Sequence, residues 1–389
     1  MRSVKAVEWT NLSPPEPPSF AATICLMNEG SFRWIISPWQ DQLFLFGGVL
    51  VSLLLTLGVW STPSLAPWWW IWILLLDGPH VFATLARTYL DPEERRTRGR
   101  LLGGSLLWFL VGPACLGIAA WSGSGLSVAL FLTFCNLWAW WHVLRQHLGF
   151  MGLYKRAGGE TDPGDDRWDR AALYTGSIAP FVAFALLHPE ARPMLGLQGP
   201  PTWESSVALL LWGGTAVVVG GWALRLASAR RAGRPVAPAK VAYLGLVLLW
   251  TAVVMAPPVA NRLPLGGITI AVTAWHNIQY HALVWHYKRR RYQTEPERYG
   301  LAARVGSHLA IYAFAGLAFT LAYRIPNCLM GSPPGCSSNP DPLFAGVTLA
   351  TAGQVIFWGV ALHHYFIDQY IWRPSKDVRL QADLGLVKG

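Results

Sequence analysis

From Leu43 to Ser61 the chain runs without a single charged side chain, and comparable runs recur along its length. A segment of about 20 apolar residues spans the hydrocarbon core of a bilayer as a helix rising 1.5 Å per residue. In lipid, every backbone polar group must be paired internally, which leaves only helices and closed barrels. The runs are too long and continuous for barrel strands, so the sequence predicts an all-α, polytopic integral-membrane helical bundle. Ten spans are expected: 43–61, 67–90, 101–121, 126–154, 171–187, 206–227, 241–260, 266–287, 305–323 and 344–372. Composition agrees, with 53% hydrophobic and 13% charged residues, against about 25% charged in an average soluble domain.

The loops carry an orientation signal. Arginine and lysine collect after the second, fourth, sixth and eighth spans, in "RRTRGR" (95–100), "YKR" (154–156), "ARRAGR" (229–234) and "YKRRRY" (287–292). The intervening loops hold only Arg192, Arg262 and Arg324. The positive-inside bias then places the basic loops and both termini in the cytoplasm, and the expected location is a bacterial-type inner (cytoplasmic) membrane. The chain divides into an N-terminal cytoplasmic or interfacial segment (1–42), the transmembrane domain (43–373) and a cytoplasmic tail (374–389). The leader lacks the short basic region of a cleaved signal peptide. Orientation and contact with anionic membrane lipid account for the net charge of +10, and no nucleic-acid partner is expected. The cysteines show no CxxC metal spacing. Cys115 and Cys135 fall in spans as packing residues, and Cys328 and Cys336 share an outer loop in which a disulfide could form.

The histidines are the second constraint. Of ten, His188 is expected at the surface of an outer loop, and His308 near the start of the ninth span, snorkelling to the interface. The other eight lie on the second, fourth, eighth and tenth spans: His80; His142 and His147; His276, His281 and His286; His363 and His364. Except for His286, which is nearer the headgroups, they occupy one slab roughly 10–18 Å below the cytoplasmic helix ends. Trp141-His142-x4-His147 is echoed by Trp275-His276-x4-His281. Residues five apart on an α-helix diverge by about 140°. Either a π-bulge brings both members of such a pair together, or one ligates and the other serves elsewhere.

Polar companions accompany them. Asp77 precedes His80 by three residues, Asp368 follows His364 by four, and Asn277 precedes His281 by four. These spacings share a helix face and could fix an imidazole tautomer. Arg87, Arg145, Gln146, Gln279 and Gln369 lie at or near the same level, and ionisable residues within spans are costly enough to be functional candidates.

Neutral imidazole is the commonest side-chain ligand for iron, zinc and copper. Four or more imidazoles with carboxylates and no thiolate suit non-haem iron, as one or two ions; a zinc site needs only three ligands and a water. The metal ligands are expected to be His80, His142, His147, His276, His281 and His364. Asp77 and Asp368 are expected to orient or ligate, and Arg87 and Arg145 to meet an anionic headgroup. A metal at this depth meets a lipophilic small-molecule substrate and dioxygen, so the expected activity is that of a membrane oxygenase or oxidoreductase acting on a lipid or isoprenoid. An oxygenase needing electrons would require an external electron donor, because the chain has no GxGxxG fingerprint and no ferredoxin-type cysteine set.

The segments "GPH" (78–80), "QHLGF" (146–150) and "WHNIQYH" (275–281) resemble the bacterial Brp/Blh-type β-carotene 15,15'-dioxygenases. That resemblance implies a multi-span fold, histidine-bound non-haem iron and an apolar, carotenoid-like substrate. The family carries Pro-His-Gly where this chain has Pro79-His80-Val81, and the final "HHYFIDQYIW" is additional. The HxxxH and HxxHH boxes of fatty-acid desaturases are absent. Two alternatives stand beside this reading: a haem- or quinone-binding electron-transfer protein, in which facing histidines ligate haem, and a proton-coupled transporter with a histidine–aspartate relay.

Overall fold

The computed structural model describes residues 32–293 and 295–386, so most of the expected N-terminal segment lies outside the described residues. The chain forms α1 (Pro38–Ser61), α2 (Ala66–Thr88), α3 (Pro92–Ser122), α4 (Leu126–Ala157), α5 (Pro163–Leu187), α6 (Trp203–Arg231) and α7 (Pro238–Met255). It continues through α8 (Leu265–Tyr292), α9 (Leu309–Leu329) and α10 (Leu349–Ile371). Eight of these, all but α8 and α10, are long and apolar enough to cross a membrane. The apolar runs of α8 and α10 are diluted by the histidines and by Asn277, Gln279, Gln354, Asp368 and Gln369. The helices that bear the most chemistry are therefore the ones that composition alone does not identify as spans.

Several boundaries differ from expectation for local reasons. α3 begins well before residue 101 because the Asp91 carboxylate caps it, accepting from the backbone N–H groups of Glu93 and Glu94. Asp162 caps α5 in the same way, accepting from Asp165. The ninth span does not start at Val305: His308 is extended (φ −131°, ψ 137°) and separates a short helix, Leu301–Ser307, from α9. The cysteine pair Cys328–Cys336 is bonded. Residues 374–386 fold back onto the bundle through the helix Val378–Asp383, with Leu380 and Leu384 joining the apolar core.

α8 is the axis of the bundle, packing against α1, α2, α4 and α7. Two π-helical segments shape its surroundings, Asp41–Phe46 in α1 and Ile73–Asp77 in α2, and each is followed by a close helix contact that only glycine permits. A Cβ on Gly48 would lie 2.7 Å from the Trp275 ring, and one on Gly78 would lie 2.1 Å from the Thr320 hydroxyl. The Leu45 carbonyl at the end of the first π-segment accepts from Trp275 Nε1 (2.8 Å) and Gln279 Nε2 (2.9 Å), while Ser52 Oγ accepts from the Trp275 backbone N–H. These bonds hold α8 against α1. The outer wall is apolar: Leu209, Leu210, Val217 and Leu224 of α6 are each about three-quarters exposed, as expected for a lipid-facing helix.

A buried ion network ties α4, α5 and α7 together at the arginine-rich end. Lys240, inaccessible to solvent, meets Asp169 at 2.9 Å and Glu160 at 3.0 Å, and Lys155 meets Asp169 at 3.0 Å. Removing one partner of such a pair strands a buried charge and costs about 3–5 kcal/mol. Asp169→Ala is expected to destabilise purified protein by about that much in thermal unfolding.

Candidate metal centre

His80 of α2, His142 of α4 and His364 of α10 come together, and the ring of His276 of α8 packs on His80 and His142. Ring centroids are separated by 4.5 Å (His80–His364), 4.8 Å (His80–His276), 4.9 Å (His142–His276) and 5.0 Å (His142–His364). His80, His142 and His364 each offer a nitrogen within 4.8 Å of the others. Such convergence is costly unless something is bound. His80 Nδ1, His142 Nε2 and His276 Nδ1 are buried with no partner among the described residues, and each unmet group costs about 1–3 kcal/mol. His80 Nε2 and His364 Nε2 lie 2.8 Å apart. Two nitrogens about 2.1 Å from one ion, at right angles, would be about 3.0 Å apart. The donor set therefore fits a metal held by neutral imidazoles.

The surroundings orient His364. Thr84 Oγ1 and Tyr280 Oη both donate to Asp368 Oδ1, at 2.6 and 2.9 Å. With its one proton committed to the carboxylate, Thr84 Oγ1 accepts from His364 Nδ1 at 2.8 Å. That fixes the proton on Nδ1 and turns the Nε2 lone pair toward the cluster, the arrangement that a metal ligand needs. Trp372 Nε1 donates to the Tyr280 hydroxyl at 3.1 Å, closing the network. Tyr365 stacks on His142 at 4.4 Å.

Other histidines are turned away. Both α4 and α8 remain α-helical through their pairs, so the five-residue spacing separates the members. His147 Nδ1 bonds the Tyr243 hydroxyl at 2.8 Å, and its ring packs on Trp275; it borders a cavity of about 10 Å³, room for about one water. His281 Nε2 donates to the Leu76 carbonyl at 3.1 Å, leaving Nδ1 to accept from the Tyr312 hydroxyl at 2.9 Å. Both of its nitrogens are occupied away from the cluster, although the sequence reading placed it among the ligands. His363 bonds the Tyr89 hydroxyl at 2.8 Å. His188 is not a surface residue: it is buried and links two loops, bonding the Leu263 carbonyl and the Glu190 backbone N–H.

The expected charged residues separate likewise. Asp368 lies in the site, with Oδ2 3.7 Å from His364 Nε2. Asp77 faces Arg324 at 3.6 Å rather than His80, because the π-segment ends at Asp77 and turns it away. Arg87 is fully buried, its guanidinium 3.6 Å over the Trp372 ring and 4.3 Å over Tyr287, bonded to the Ile371 carbonyl; it is not open to a headgroup. Arg145 is exposed and bonds the Tyr174 hydroxyl. Gln146 clamps α4 to α8 through the His276 carbonyl at 2.8 Å. Sequence reasoning missed Thr84 and Tyr280, although each follows a cluster histidine by four residues on the same helix face.

Comparison with protein-family profiles, with curated proteins and with solved structures yields no match. The chemistry of the site must therefore carry the functional reading. Loss of an outer partner of a ligating histidine typically lowers metal affinity 10–100-fold. Thr84→Val is expected to do so in metal titrations of the purified protein, and Thr84→Ser to stay within about threefold of the parent.

Proposed function

We propose that this chain is an integral-membrane metalloenzyme of the oxygenase type, with non-haem iron held by His80, His142, His276 and His364, acting on a lipid or isoprenoid substrate. The observation that carries the reading is the meeting of four imidazoles from four helices, three of which each offer a nitrogen within 4.8 Å of the others. Imidazole-rich sites without thiolate suit iron, and bound iron would supply dioxygen chemistry. Arginine-rich loops gathered at one end and the Cys328–Cys336 bond support an orientation with the basic end in the cytoplasm.

The chain's own residues prepare the site. The Asp368–Thr84 pair holds the His364 proton at Nδ1. Tyr280 and Trp372 complete that network around Asp368 Oδ1, while Asp368 Oδ2 faces His364 Nε2 at 3.7 Å. Tyr365, stacked on His142, helps to exclude water, as an apolar reaction chamber requires. Haem is a poor fit, because the 2.8 Å between His80 and His364 leaves no slot for a macrocycle between axial ligands. Carotenoid cleavage, implied by the resemblance to the Brp/Blh-type enzymes, is one specific form of the proposed chemistry.

Elemental analysis of detergent-purified protein tests the proposal. It should contain iron and lack a Soret band. His80→Ala, His142→Ala and His364→Ala should each lose most of the metal, whereas His281→Ala and His147→Ala should retain it. Protons compete for the imidazole lone pairs, so acidification should release the metal. Full loss of metal in His281→Ala with retention in His364→Ala would refute this ligand set.

A further inference from the structure

A second site lies at the arginine-rich end, outside the histidine cluster. The start of α3, the last turn of α10 and the 3-10 turn Pro374–Lys376 enclose a groove of about 740 Å³, within the 300–1,000 Å³ range of small-molecule sites. Its walls present Arg96, Arg98, Arg100, Arg373 and Lys376 against one carboxylate, Asp377. That carboxylate is already engaged, since Arg98 pairs with it at 2.7 Å and with Glu94 at 2.8 Å. Arg96, Arg100, Arg373 and Lys376 have no carboxylate partner among the described residues.

The backbone is shaped around this space. α3 departs from helical geometry at Arg98 (φ −117°, ψ 17°). The next residue, Gly99, has nothing within 4 Å of where a Cβ would sit, so the floor is open. Tyr370, with the Arg373 guanidinium 4.9 Å from its ring centroid, forms the side nearer the bundle. Beyond the groove, α3 turns an apolar face outward: Leu106, Leu107 and Leu110 are each half or more exposed. A cationic pocket thus adjoins an apolar, outward-facing wall.

We propose that this groove binds the phosphate group of an anionic phospholipid, with the acyl chains lying along the Leu106–Leu110 face. Guanidinium forks match phosphate oxygens in pairs, which a point charge does not. A phosphate group also answers the excess of cations over carboxylates, and the adjoining leucines answer the acyl chains. The inference does not rest on the metal reading, because no residue of the groove belongs to the histidine cluster.

Native mass spectrometry of the full-length protein, titrated with phosphatidylglycerol or phosphatidylcholine, tests it. Each Lys or Arg near an anionic surface contributes roughly a fivefold change in affinity. Arg96→Gln/Arg100→Gln/Lys376→Gln should weaken phosphatidylglycerol binding by more than tenfold and leave phosphatidylcholine binding within twofold. Arg167→Gln/Arg230→Gln/Arg231→Gln removes the same charge from the start of α5 and the end of α6 and should change both by less than twofold. Equal losses in the two triple variants would overturn the proposal, leaving only diffuse surface charge. Inorganic phosphate at millimolar concentration separates the sources of the ligand. Failure to displace phosphatidylglycerol supports a lipid, whereas complete displacement overturns the acyl-chain part and assigns the groove to a soluble phosphate compound. Retained thermal stability in Gly99→Leu, with loss of phosphatidylglycerol binding, would support occupation of the open floor; undiminished binding in that variant would overturn it.

Discussion

The bundle depends on how an apolar interior accommodates imidazole. A buried polar atom without a partner is costly, and this interior holds eight histidines on four helices. Three are settled by tyrosine: His147 by Tyr243, His281 by Tyr312 and His363 by Tyr89. Those at the cluster are not settled in this way, and three buried nitrogens remain unanswered. A tyrosine partner thus sets His147, His281 and His363, which brace helix contacts, apart from the four histidines of the cluster.

Position is set by backbone irregularity as much as by side chains. The π-segment Ile73–Asp77 ends two residues before Pro79, which has no N–H to donate. Gly78 and Gly316 let α2 and α9 approach until Pro79 rests where a Cβ on Gly316 would lie 2.9 Å away. His80 follows directly, on the stretch that these contacts immobilise. In α1, the π-segment Asp41–Phe46 delivers the Leu45 carbonyl to Trp275 and Gln279, the neighbours of His276 on α8. Two ligand helices are therefore seated by the same device, a widened turn followed by glycine. π-bulges are enriched at functional sites, and here the reason is visible in the contacts.

Much of this was legible in the sequence, but unevenly. Apolar run length identified the helices, because the bilayer constraint acts on single segments. It placed α8 and α10 as well, although polar residues of the site lower their apolar content so far that composition does not mark them as membrane-crossing. Depth counting brought His80, His142, His276 and His364 to one level, since rise per residue is nearly constant. It could not separate His276 from His281, because rotation about the helix axis is invisible until a partner helix is placed. The 140° argument left open a π-bulge or the departure of one member, and did not say which member would leave. Asp77 was misdirected for the same reason: the three-residue rule assumes α-helical turns, and a π-segment ends on that residue. Thr84 and Tyr280 were within reach of the i, i+4 rule but carry no charge, so attention to ionisable groups passed over them.

The two histidine pairs show what the echo between α4 and α8 accomplishes. In each, the first histidine joins the cluster, and the second lies about 140° around the helix, bonded through Nδ1 to a tyrosine hydroxyl on a further helix, Tyr243 of α7 or Tyr312 of α9. A helix with one ligand alone is free to roll about its axis, which would move the imidazole by several ångströms at the radius of a side chain. A second anchor on a different face removes that freedom. The spacing of five is thus better suited to fixing a ligand than a spacing of four, which would place both anchors on one face and leave the helix able to rotate about them. His147 and His281 matter to the centre through this bracing, and their loss should loosen the geometry of the cluster while leaving its ligands in place.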